Sequence, residues 1–125
     1  MYTPLTIKDV STKYTERTEL TLFGQFLDDF RNEERDKYAL IKEEPLMDNC
    51  TALFLCLLAA TAHKLANDNG LQIPDWVKRQ QYIYDGVYYA FNTSMEDFRR
   101  HLEQTTPAEF VQRNLFLGDN VLSRV

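Results

Sequence analysis

The stretch from Ala52 to Ala62 constrains this chain more than any other feature, because Leu53, Phe54, Leu55, Cys56, Leu57 and Leu58 follow one another with no polar residue between them. In a helix of about 3.6 residues per turn, such a run covers the whole circumference and leaves no face for water. The run is too short to cross a bilayer, and Asp48 before it and His63 and Lys64 after it end its apolar character. The expectation is a buried central helix over about 50–67 that other segments must cover. Gly70 stands where a left-handed C-terminal cap is needed, and Asp48 and Asn49 offer N-cap side chains.

The flanking segments supply that cover. From Thr18, the spacing of Leu20, Phe23, Leu27 and Phe30 predicts an amphipathic helix ending near Arg35, with Asp28, Asp29 and Asn32 facing water. Residues 1–13 contain Pro4 and scattered Thr and Ser, which predicts a weakly ordered lead-in with a turn around Thr6 to Val10. Pro45 limits any helix after the apolar patch at Tyr38 to Ile41. Pro74 is expected to open a short helix carrying Trp76 into the core. Ser94 with Asp97, and Thr106-Pro107-Ala108-Glu109, read as capping boxes of two further short helices. Residues 82–91 hold four tyrosines and Phe91 around the turn pair Asp85-Gly86. They read as an irregular aromatic loop or a short hairpin. The loop is preferred, because an isolated hairpin is marginal and no other strand is evident. The fold class expected is all-α, a small helical bundle, with residues 1–125 forming a single domain.

Charge narrows the function classes. The net charge of −5 lacks the cationic excess of a stand-alone nucleic-acid binder. The acidity belongs to residues 1–48, which hold eleven Asp or Glu against seven Lys or Arg. An acidic segment suits a basic partner, although solubilising charge on exposed helix faces is equally ordinary. Cys50 and Cys56, six residues apart on one helix, point about 240° apart and cannot form a disulfide. With an N-terminus unlike a signal peptide, the chain reads as cytoplasmic.

No pattern reaches a reaction mechanism. His63 lies seven residues after Cys56 on nearly the same helix face, yet no second ligand pair at zinc spacing follows, so no metal and no cofactor are expected. Ser11, Ser94 and Ser123 lack a nucleophile elbow. Catalytic residues are therefore expected to be none. The residues singled out for partner binding are Asp28, Asp29 and Glu33 on the acidic helix and Tyr82, Tyr84, Tyr88 and Tyr89 in the aromatic segment. Packing over the central helix is the competing role for the tyrosines.

Several segments carry a resemblance. Lys37 to Pro45, Ala59 to Leu65, Pro74-Asp75-Trp76-Val77, and Thr106 to Phe110 running through Arg113 and Phe116 to the end of the chain together resemble a family of small bacterial helical proteins. They are similar also to the C-terminal domain that follows a helix-turn-helix in some actinobacterial regulators. The resemblance covers residues 37–125, and its most specific parts are Pro-x-Trp-Val and Pro-x-x-Phe-x-x-Arg-x-x-Phe. Such proteins are often found beside nucleotidyltransferase-like toxin candidates, so the resemblance implies an antitoxin-like or regulatory partner role without catalytic residues. This chain departs from the regulator form in lacking a helix-turn-helix in its N-terminal part, so no direct contact with nucleic acid is expected. The function expected is that of a non-catalytic protein-binding module. An accessory domain of transcriptional regulation, acting through oligomerisation or a partner, is the alternative; a small-molecule binder or enzyme is the third class.

Overall fold

The apolar run forms helix α3, Ala52–Asp68, in a computed structural model that describes residues 3–15, 17–48, 50–119 and 121–122. Leu58, Ala59, Ala60 and Ala62 are wholly buried, and the small side chains of the three alanines let neighbouring elements approach the helix axis closely. Thr51, and not Asp48, caps the N-terminus: its hydroxyl accepts from the Phe54 amide at 3.1 Å. Asn49, the other expected cap, lies outside the described residues. Gly70 closes the helix as expected, at φ +66°, with the Leu71 amide reaching back to the Ala66 carbonyl at 2.8 Å.

The remaining elements wrap this rod, giving a mostly helical architecture with one small parallel sheet. Helix α1, Ile7–Lys13, packs on both α3 and helix α2, Glu19–Asn32. The expected weakly ordered lead-in is thus a helix of nearly two turns. A reciprocal capping box between Thr6 and Asp9 starts it, and Ile7 and Val10 are fully buried. Ser11 ties it to the next segment, its hydroxyl donating to the Lys8 carbonyl at 2.6 Å and accepting from the Leu46 amide at 2.8 Å.

Helix α2 ends at Asn32, three residues short of the expected position, and its buried stripe is shifted. Phe23, Phe26, Leu27 and Phe30 face the core, whereas Leu20 is 82% exposed. The spacing of three, one and three is a helical face as good as the expected one, so periodicity alone does not choose between Leu20 and Phe26. Asp29 is a second correction: it turns inward, and its carboxylate accepts from the Leu5 amide at 2.8 Å and from Gln25 at 2.9 Å.

After α2 the chain makes a tight 3-10 turn at Lys37–Leu40 and passes Pro45 to reach α3. Beyond Gly70, Pro74 precedes a 3-10 turn at Asp75–Lys78 in place of an α-helix, and Trp76 enters the core as expected. Its indole N–H donates to the Ile41 carbonyl at 3.1 Å. A second such turn, Gln80–Tyr82, buries Tyr82 edge-on against Trp76, with ring centroids 5.2 Å apart.

The tyrosine segment forms no hairpin. Strand β1, Tyr88–Tyr89, pairs in parallel with strand β2, Leu115–Phe116, in the register Tyr88 with Leu115 and Tyr89 with Phe116. Parallel strands need a long crossover, and here it consists of helix α4, Glu96–Thr105, and helix α5, Ala108–Val111. The partner strand escapes a reading of short segments because two residues carry no alternation to detect. Neither expected capping box forms: Met95 and Pro107 stand at the N-caps without side-chain bonds. The Thr106 hydroxyl instead donates to the Leu102 carbonyl at 2.6 Å and accepts from the Gly118 amide at 2.8 Å, locking the turn after β2 onto α4.

Candidate functional site

One strip of the central helix is left incompletely covered. Leu53 and Leu57, a turn apart on α3, are only half-buried. They lie at the bottom of a cleft of about 390 Å³ whose walls are Tyr14, Tyr88, Leu115 and Leu117. A second cleft of about 630 Å³ adjoins it, sharing Leu57, Tyr88 and Leu117 and extending to Leu20, Phe91 and Phe98. Together they make one apolar groove running from α1 and α2 across the parallel pair to α4. Glu19 and Asp119 are the carboxylates lining it.

The rim beside α4 is built against conformational preference. Phe91 sits at φ +59°, the left-handed region, and is 88% exposed. For a bulky side chain that conformation costs about 1–2 kcal/mol, and burial of its ring does not offset it. Its one ring neighbour of note is Phe98, stacked at 6.4 Å between centroids. Met95 and Val87 are exposed nearby in sequence.

The expected contact residues are dispersed. Tyr88 lines both clefts. Tyr89 is sandwiched, stacked on Phe116 at 5.0 Å with the Arg99 guanidinium 4.6 Å from its ring centroid. Tyr84 is half-buried, edge-on to Tyr88. Tyr82 is wholly buried and donates to Glu44 at 2.6 Å, so its ring and hydroxyl are both engaged inside the fold. Burial and that carboxylate push its phenol pKa well up. Asp28 and Glu33 are half-buried, and Glu33 ends α2 by accepting from the Arg35 amide at 2.9 Å. None of Asp28, Asp29 and Glu33 lines the groove. The structure therefore does not join the acidic helix face and the tyrosines into one surface. Leu20, Leu57, Phe91 and Leu117 line the groove instead. Nothing in their sequence spacing distinguishes them from core residues, because the groove is assembled from four separate elements.

His63 is engaged by a cation and not by Cys56. Arg113, almost wholly buried, donates from Nη1 to His63 Nδ1 at 3.2 Å. Arginine has no acceptor, so the imidazole is neutral and carries its proton on Nε2. Burial, followed by the Arg113 charge, lowers the His63 pKa below 6.5. Just below pH 6.5 the unfolded chain therefore binds more protons than the folded one, and stability falls as pH drops through the folded pKa. Urea titrations at successive pH values should show this decline, and His63→Gln should flatten it; an unchanged profile in the variant would refute the assignment. Among the described residues, no three His, Cys, Asp or Glu side chains gather as metal ligands. Nor is any helix among them long and apolar enough to cross a membrane. Comparison of the chain with protein-family models, with curated proteins and with solved structures finds no match.

Proposed function

We propose that this chain is a non-catalytic, cytoplasmic protein-binding module, an α-helical bundle whose groove receives an amphipathic helix from a partner protein. The observation that carries the reading is the exposed Phe91, held at positive φ on the edge of a groove floored by Leu57 of the central helix. A helix docking with its apolar face inward would cover the strip that the fold leaves open, in the helix-in-groove mode. Glu19 and Asp119 suit Lys or Arg flanking that apolar face. The resemblance of residues 37–125 to antitoxin-like proteins makes a nucleotidyltransferase-like toxin the partner to test first.

The test is calorimetric titration of the full chain with a nucleotidyltransferase-like toxin candidate from the same host. Wild type is expected to bind, and Phe91→Gly and Leu20→Ser each to weaken binding at least about tenfold, as truncation of an aromatic or apolar anchor does. Glycine relieves the strain at position 91, so the Phe91→Gly protein should unfold at a temperature equal to or above that of wild type. Loss of binding with retained stability separates a docking role from a structural one. No binding by wild type would remove the antitoxin-like reading, and binding indifferent to both substitutions would remove the groove.

A further inference from the structure

Lined by none of the residues of the groove described above, a separate small cleft of about 170 Å³ opens between α3, the turn at Asp75–Lys78 and the end of α5. His63, Lys78, Gln112 and Arg113 line it, with Val77 and Ile83 as its apolar wall. Arg113 is 4% exposed, and burying a guanidinium costs several kcal/mol unless an anion offsets its charge. Its hydrogen-bond partners are all neutral: His63 Nδ1 at 3.2 Å, the Glu109 carbonyl at 2.7 Å and the Val77 carbonyl at 2.8 Å. Of five N–H donors these take three, and Nε–H is buried without any partner. Among the described residues no carboxylate stands within ion-pair distance of Arg113. Glu109, the one carboxylate whose charge acts on Arg113, is held by Asn67 at 2.7 Å, and Lys64 nearby is already paired with Asp68 at 2.9 Å.

We propose that this cleft binds a phosphate group, free or as a small phosphate ester, with Arg113 as its floor and Lys78 and His63 Nε2–H as donors from the walls. Positive charge in the cleft is in excess: Lys78 and Arg113 both disfavour a proton on His63, and only Glu109 opposes them. The donors come from three parts of the chain around one cleft, namely α3, the turn at Asp75–Lys78 and the segment after α5, so an anion with several acceptor oxygens can be met from more than one side. The cavity is below the roughly 300 Å³ at which drug-sized ligands begin, so a nucleoside does not fit inside and only the phosphoryl group does. Arg113 contributes a pre-oriented guanidinium whose charge is unsatisfied until the anion enters.

The experiment is an NMR titration of the full chain with inorganic phosphate at constant ionic strength, following the Arg113 Nε–H signal and the ring C–H signals of His63. Saturable shifts with a Kd below about 1 mM are expected. Lys78→Ala, an exposed change that leaves the core intact, should weaken phosphate at least about tenfold, and Lys78→Glu should remove the saturable response. Arg113 itself anchors three backbone or ring acceptors, so its replacement risks the fold, and the Lys78 variants carry the test. Acetate binding as tightly as phosphate would overturn the assignment of a phosphate group. A linear drift matching that produced by chloride, or phosphate affinity unchanged in Lys78→Ala, would overturn the site. Phosphate binding and partner binding use different residues, so either can fail while the other stands.

Discussion

Phe26→Ala is expected to destabilise the protein by about 3–5 kcal/mol, whereas Leu20→Ala on the same helix changes stability by less than about 0.5 kcal/mol. Phe26 is wholly buried, with its ring 6.2 Å from that of Phe30, and removing it leaves a void between α2 and the rest of the core. Leu20, at 82% exposure, has almost no burial to lose. Both residues lie at helical spacing from Phe23 and Phe30, so the pair of substitutions reads directly which face of α2 is turned inward. Urea denaturation with an unchanged slope gives the two values. A larger loss from Leu20→Ala than from Phe26→Ala would mean that α2 is rotated from the orientation described.

The second large effect is expected at Asp29. Its carboxylate accepts from the Leu5 amide in the interior, and it is the polar tie that brings the start of the chain onto α2. Asp29→Ala strips that buried N–H of its partner and should cost about 2–3 kcal/mol, the range for a hydrogen bond to a charged group plus an orphaned donor. Glu34→Ala, at an exposed carboxylate just past the end of α2, should stay within about 0.5 kcal/mol. Because α1 packs on α2 and α3 through Ile7 and Val10, release of Leu5 should also speed amide hydrogen exchange across α1 before the rest of the protein. Uniform acceleration throughout, or none in α1, would contradict the anchoring role.

At both sites tertiary packing overrides the pattern of the helix surface. The sequence pattern groups Asp29 with Asp28 as a solvent-facing carboxylate, since adjacent acidic residues on a helix are ordinarily solvated. Two residues about 100° apart on a helix cannot share an environment when one face is buried, and the inward one here is retained because a backbone donor 24 positions earlier meets it. The tyrosines divide for a similar reason. Tyr82 fills the space beside Trp76, whereas Tyr88 is carried to the groove by pairing with Leu115, a residue 27 positions later. The groove itself was not legible, because no single segment contains it: Leu20, Leu57, Phe91 and Leu117 come from four places in the chain.

What the amino-acid order determined by itself was local. A run with no polar face had to become a buried helix, Gly70 had to end it, and Trp76 had to seek the core, since each follows from hydrophobicity or backbone freedom within a few residues. Which face of α2 turns inward, which tyrosines stay near the surface and which strip of α3 remains open were decided by tertiary packing. Those outcomes depend on how the volumes and unpaired polar groups of distant segments fit around one rod, and a close-packed interior admits one such fit among several that periodicity treats as equivalent.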